Sequence, residues 1–163
     1  MLTPTRSIVV LLLLALWAGT CAAQQPGTVL PSLTLVATDG TRVNTSQIPQ
    51  HGKWLLFYIQ GKCRDCESLL SLVNVKQYPE IAKNAVIVVG GVSADEAAAL
   101  QGKFPAWAGA AWFADPNRTL AEQLKYTGVP VTSGMNDGAI TWTVRGSLSR
   151  SRDLNSIFDT WVR

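Results

Sequence analysis

Trp54-Leu55-Leu56-Phe57-Tyr58-Ile59-Gln60-Gly61-Lys62-Cys63-Arg64-Asp65-Cys66-Glu67-Ser68-Leu69-Leu70 is the stretch from which the rest of the chain can be read. Its first six residues form a strongly apolar run without alternation. That predicts a strand buried on both faces, as in a parallel or mixed sheet covered by helices. Cys66, Leu69, Leu70 and Val73 then recur at helical spacing. The two cysteines, spaced C-x-x-C, therefore sit where a buried strand turns into a helix. A cysteine at a helix N-terminus feels the positive end of the helix dipole, which favours thiolate over thiol. Lys62 and Arg64 flank Cys63 and act in the same direction, while Asp65 opposes them. No other stretch has comparable chemical potential, so the remainder of the chain is read as positioning a dithiol.

Upstream of this stretch, Leu33-Thr34-Leu35-Val36 alternates like a half-buried strand. Asp39-Gly40 marks a turn, and Arg42-Val43-Asn44 returns as a second short strand, making a hairpin. Ser46-Gln47-Ile48-Pro49 reads as a single turn. Downstream, the helix is expected to run to about Val75 or Tyr78, and Pro79 ends it or opens a further turn. Ala85-Val86-Ile87-Val88-Val89 is a second apolar, β-branched strand, closed by Gly90-Gly91. Ser93 is a good N-cap for a helix over Ala94 to Leu100, with Glu96 at the capping-box position.

Gly102 to Gly109 reads as a loop, with Trp107 on it as a candidate lining for a substrate groove. Ala111-Trp112-Phe113-Ala114 is a short strand. Asp115-Pro116 is expected to open a helix, Asp as cap and Pro at the first helical position. Tyr126 to Thr132 leads from that helix into a strand, Asn136-Asp137-Gly138 is a hairpin turn, and Ala139 to Val144 is the return strand. From Arg152 onward, Leu154, Ile157, Phe158 and Trp161 mark a last helix. The order β-hairpin, β, α, β, α, β, α, β-hairpin, α predicts an α/β layered fold with a partly antiparallel sheet.

Composition bounds the remaining possibilities. With 47% hydrophobic and 15% charged residues, the chain can bury a core, which argues against disorder. A net charge of +3, with no basic cluster beyond Arg145, Arg150 and Arg152, argues against nucleic acid as a partner. Residues 1–23 read as a secretory signal: Arg6 supplies the n-region charge, Ile8 to Trp17 the apolar core, and Ala22 and Ala23 the cleavage region. Residues 24–163 are then one exported domain, periplasmic or otherwise outside the cytoplasm, with Gln24 to Gly27 as linker. An uncleaved anchor is the alternative to a cleaved signal, and Cys21 itself has two open fates. It leaves with the signal, or, because Ala18-Gly19-Thr20-Cys21 partly resembles the bacterial lipobox, it carries a lipid that tethers the protein to a membrane. Either way Cys63 and Cys66 are the thiols left to the domain. An oxidising compartment makes a disulfide between them plausible at rest.

C-x-x-C at the first strand-to-helix turn, together with Gly128-Val129-Pro130 before the last hairpin, resembles the thioredoxin-like superfamily. More narrowly, the chain resembles the exported TlpA/ResA-type thiol–disulfide oxidoreductases. The match includes Leu30-Pro31-Ser32-Leu33-Thr34-Leu35, Lys53 to Tyr58, Phe113-Ala114-Asp115-Pro116 through Leu120-Ala121, and Asp137-Gly138. The resemblance implies a central mixed β-sheet flanked by helices, an N-terminal β-hairpin and a central strand–helix insertion. It implies catalytic roles for Cys63 as the exposed attacking thiol and Cys66 as the buried resolving thiol. It implies a cis Pro130 against the pair, with the Val129 backbone holding a substrate peptide. Partners would be protein thiols or disulfides and a redox partner of unknown identity, and no cofactor is expected.

The chain departs from the pattern close to the cysteines. Lys62 replaces the aromatic residue common before the first cysteine, and Phe57 stands where thioredoxin has a buried Asp. Glu67 has two readings, a proton acceptor or a first-turn carboxylate satisfying the helix dipole. His51 is the sole histidine and reads as a loop residue. Structural zinc needs about four Cys or His ligands, more than the domain offers. Haem attachment needs C-x-x-C-H, and Glu67 stands at the His position. A peroxiredoxin-type site would place Thr or Ser where Gln60 stands. The alternative to catalysis is a secreted binding module whose Cys63–Cys66 disulfide is structural.

Overall fold

Alternate residues of the central strand feed two different cores, and the architecture follows from that. In the computed structural model, which describes residues 27–48, 51–146 and 151–163, β4 (Lys53–Gln60) is buried from Trp54 to Ile59. Leu55, Phe57 and Ile59 point into one apolar cluster, and Trp54, Leu56 and Tyr58 into the other. The neighbouring β5 (Ala85–Gly90) divides likewise, Ile87 and Val89 to the first cluster, Val86 and Val88 to the second. Two-residue periodicity thus makes one unbroken apolar run into the middle layer of a sandwich. Residues 1–23 with Cys21, expected as a signal, together with residues 24–26, Pro49, Arg150 and the Arg152 side chain, lie outside the described residues.

The strands form one eight-stranded mixed sheet in the order β1-β8-β7-β4-β5-β6-β2-β3. β6 (Ala111–Asp115) runs parallel to β5, which runs parallel to β4. β7 (Val131–Asn136) and β8 (Ala139–Arg145) form the antiparallel hairpin on the other side of β4. Asp137 at φ 48° and Gly138 at φ 76° make its tight turn, which needs left-handed backbone at both positions. The N-terminal hairpin, β2 (Thr34–Ala37) and β3 (Arg42–Asn44), joins the sheet only through β6. The central insertion therefore extends the sheet and gives the hairpin an edge to pair with.

Helices cover both faces. α1 (Arg64–Leu72), α2 (Pro79–Lys83), α3 (Ala94–Lys103) and α5 (Ser151–Val162) contribute to the cluster that contains Phe57. α4 (Thr119–Gln123), through Leu120 and Ala121, covers the face that contains Tyr58. Ser93 and Glu96 form the expected capping box at α3, and the helix continues three residues beyond Leu100.

Four expectations change. The linker ends before Gly27, whose N–H donates to the Ile140 carbonyl at 2.8 Å. Thr28–Val29 follows as β1, paired with β8. The first helix stops at Leu72 instead of near Val75 or Tyr78. The Asn74 N–H is taken by Asn155 Oδ1 of α5 at 2.8 Å, and the Val75 N–H turns back to the Val73 carbonyl at 2.9 Å, which leaves both buried valines outside the helix. Pro105–Trp107, expected as open loop, is a 3-10 turn. Asp115 does cap a helix, but from four residues away. The chain passes Pro116, Asn117 and a left-handed Arg118 (φ 57°) before α4 begins, and the Asp115 carboxylate then accepts the N–H groups of Thr119 and Leu120, both at 2.9 Å.

Tyr126 closes the second core. Its hydroxyl hydrogen-bonds Ser133 Oγ at 3.1 Å, and burial pushes its pKa up to about 12, with the Ser133 bond and the Arg145 charge opposing. The folded state keeps this proton to higher pH than the unfolded chain, whose tyrosine titrates near 10. Its stabilising contribution is complete below pH 10 and is lost as pH rises towards 12. Urea unfolding of wild type and Tyr126→Phe over this window should differ in slope by about 1.4 kcal/mol per pH unit, the wild type losing stability faster. Parallel curves would show that Tyr126 ionises without unfolding cost.

Candidate functional site

β4 delivers the chain to the carboxyl edge of the sheet, and Gly61-Lys62 turns it into α1. Cys63 is the N-cap residue, with extended backbone (φ −124°, ψ 103°). Its carbonyl accepts the N–H groups of Cys66 and Glu67, both at 3.1 Å. Its Sγ accepts the Cys66 N–H at 3.2 Å. The sulfur thus takes the place a Ser or Asp oxygen usually has at a helix start. Cys63 and Cys66 are joined as a disulfide, their Cα atoms 5.2 Å apart. Cys66 points into the core at 1% exposure, whereas Cys63 is half-buried at the surface. The two sulfurs are therefore inequivalent: an incoming group can reach only the first.

β7 brings the other candidates alongside. Tyr58 pairs with Val131 in antiparallel register. That pair is the last of the ladder, so Pro130 and Val129 precede β7 at the end of the sheet where β4 leads into the cysteine turn. The Val129–Pro130 peptide is cis. Pro130 is buried and its carbonyl accepts the Gly146 N–H at 2.8 Å, while Val129 is half-buried against both apolar clusters.

The remaining sequence candidates separate. Lys62, Arg64 and Asp65 are exposed around Cys63. Glu67 lies in the first turn of α1, with the Lys103 ammonium 3.9 Å away. His51 is exposed just ahead of β4, at the end of that strand remote from the cysteines. Trp107 is chiefly a core residue, and the groove it helps to line touches neither cysteine. It is buried at 1% exposure, donates Nε1–H to the Leu70 carbonyl at 2.9 Å, and packs edge-on against Phe57 at 5.2 Å. The loop that carries it folds back under α1, and its indole becomes core.

Two features escape a linear reading. Asp115, 2% exposed, ends β6 and accepts the Tyr58 hydroxyl at 3.2 Å besides its two helix N–H groups. Burial, then the Asp115 charge, raises the Tyr58 pKa well above the ordinary phenol value. Gly90 makes room for this pair, since a Cβ there would collide with the Tyr58 hydroxyl. The second is a groove of about 630 Å³ lined by residues 60–62, 90–92, four positions of α3, and Arg118. No motif announces it. The available signal is that the segments leaving the parallel strands β4, β5 and β6 must emerge at one edge of the sheet. A larger groove, about 930 Å³, lies between residues 70–78 and 103–107 and touches neither cysteine.

No protein-family model matches the chain, and no curated protein matches it in sequence. Solved structures do match in shape. The thioredoxin domain of a thiol-disulfide oxidoreductase from Bacteroides vulgatus superposes with a TM-score of 0.66 at 16% identity, covering 86% of this chain and 100% of that one. A thiol:disulfide interchange protein from a Bacteroides species gives 0.65 at 15% identity, with 85% and 90% covered. A secreted disulfide oxidoreductase from Mycobacterium tuberculosis gives 0.62 at 10% identity, with 79% and 96% covered. At such identities the likeness concerns architecture, and the architecture it gives is plain: this chain has a thioredoxin-like fold.

Proposed function

We propose that the chain is an exported thiol–disulfide oxidoreductase that exchanges the Cys63–Cys66 disulfide with protein thiols. The observation that carries this reading is the inequivalent pair at a helix start, Cys63 half-buried and Cys66 buried beneath it. A substrate thiolate attacks Cys63 Sγ. The new bond joins substrate to Cys63, the Cys63–Cys66 bond breaks, and Cys66 leaves as a thiolate that takes up a proton. A second substrate thiolate attacks the mixed disulfide and releases Cys63. Two substrate thiols become one disulfide, and two electrons reside in the reduced pair. The reverse sequence reduces a substrate disulfide.

Cys63 is the attacking and leaving sulfur at the surface, and Cys66 resolves. Val129 offers backbone groups to an extended substrate segment, and Pro130 lies against the pair. The Cys66 N–H aimed at Cys63 Sγ favours a Cys63 thiolate once the pair is reduced, and Lys62 and Arg64 add to that. A stabilised thiolate makes the disulfide easier to reduce, so the potential lies above that of thioredoxin, about −270 mV. The apolar segment Ile8 to Trp17 supports export as a signal, and Cys21 supports a lipid tether as its alternative fate. Membrane fractionation of wild type and Cys21→Ala separates the two.

Phe57 favours one second reading. An aromatic ring fills the place of the buried carboxylate that assists thioredoxin, so a structural disulfide in a binding module is the competing assignment. Insulin reduction by dithiothreitol discriminates. The oxidoreductase accelerates insulin B-chain precipitation; a binding module leaves it at the uncatalysed rate.

A further inference from the structure

The 630 Å³ groove begins at the residue before Cys63. Its walls carry Lys62, Lys103 and Arg118 from three separate elements: the cysteine turn, the end of α3, and the turn before α4. Among the described residues, neither Lys62 nor Arg118 lies within salt-bridge distance of a carboxylate, although Arg118 reaches the Tyr58 hydroxyl and the Lys62 charge acts on Glu96. Lys103 has only the distant Glu67 at 3.9 Å, and both ends of that contact are largely exposed. Such a pair contributes little.

Glu96 is the single carboxylate lining the groove; it stays ionised beside Lys62 and offsets one of the three positive charges. Its Oε2 accepts the Ser93 N–H at 2.9 Å and the Ser93 hydroxyl at 3.1 Å, so the carboxyl is held below its ordinary range. Gly61, Gly90, Gly91 and Ala99 line the groove beside the cations, and the aliphatic stem of Arg118 lies close to Gly91.

We infer that this groove docks an acidic segment of the substrate protein, next to the cysteine that reacts with Cys63. The inference rests on the oxidoreductase reading and names its substrate class. Three cations spread along a cleft attract a run of carboxylates more strongly than a single counter-ion would, and a low-dielectric wall focuses the field. The effect lies mainly in encounter rate, and salt removes it. Arg118 is held in place by the main chain around Asp115: Arg118 N–H donates to the Asp115 carbonyl at 3.0 Å, and so does Gly91 N–H at 2.9 Å.

The test uses the full oxidised chain and three short peptides, each with one cysteine, flanked by Asp, Lys or Ser. Mixed-disulfide formation at Cys63 is followed in acid-quenched samples by mass spectrometry. Each rate is divided by that of the same peptide with hydroxyethyl disulfide, which removes the influence of the flanking charges on the thiol itself. At about 0.01 M ionic strength the Asp peptide should exceed the Lys peptide about tenfold, and the preference should vanish near 1 M salt. A Lys103→Gln/Arg118→Asn variant should lose most of the preference; Asn tolerates the left-handed backbone at position 118. Equal normalised rates, or a preference that survives in the variant, overturn the groove assignment while leaving the oxidoreductase reading intact. If none of the peptides forms a mixed disulfide although dithiothreitol opens the pair, both fall.

Discussion

Cys63→Ser should abolish catalysed insulin reduction, lowering the rate on the order of 10³-fold or more, whereas Cys66→Ser should accumulate a covalent adduct with its substrate. The difference follows from placement. In Cys63→Ser the remaining sulfur is 1% exposed on the core-facing side of α1, where no protein disulfide can approach in line. In Cys66→Ser the half-buried Cys63 persists, and so does its hydrogen-bond donor, because that donor is the backbone N–H of residue 66. The variant can attack but cannot resolve, so the mixed disulfide should survive non-reducing electrophoresis and disappear with dithiothreitol. Unfolding does not account for either outcome. The cysteines are separated by only 3 positions, and closing so short a loop stabilises by about 2 kcal/mol in the chain-entropy account. If Cys66→Ser captures nothing and the wild-type pair resists reduction, the disulfide is structural and the binding-module reading holds.

The pair and its scaffold were legible because their signals are local. An apolar run without alternation, a C-x-x-C and a helical repeat adjoin one another from Trp54 to Val73, and the structure keeps them in that arrangement. What the chain hides depends on partners distant in sequence. Nothing around Asn74 says that a side chain 81 residues away will take its N–H and end a helix. Thr28–Val29 has no apolar pattern of its own and becomes a strand only because β8 offers it an edge. Asp115 reads as an ordinary N-cap; that it also receives Tyr58, 57 residues upstream, needs the β4–β5–β6 register. Trp107 on a Pro-containing loop resembles a surface aromatic until that loop is seen folded under α1. The cationic groove is of the same kind, since Lys62, Lys103 and Arg118 belong to three elements and meet only at the edge of the sheet.

Phe57→Ala should cost about 3–5 kcal/mol of stability, measured as urea unfolding of the oxidised protein followed by tryptophan fluorescence. The ring is 0% exposed and stands at the junction of three elements. It meets Trp107 edge-on at 5.2 Å and Phe158 of α5 edge-on at 5.6 Å. Phe158 in turn stacks on Trp142 of β8 at 6.1 Å. Removing the ring leaves a void that neighbours drawn from β6's approach, α5 and β4 cannot all collapse into at once. The position also decides between core and chemistry. Phe57→Asp places a carboxyl where thioredoxin has one, but here it faces aromatic rings, so its pKa must rise. A raised carboxyl pKa favours the protonated form in the folded state. The Asp variant should therefore approach the Ala variant in stability near pH 4 and fall below it by pH 7. Equal stability of the two variants at both pH values, or a loss under about 1 kcal/mol for Phe57→Ala, would mean that water reaches this site and that the aromatic junction does not hold α5 to the sheet.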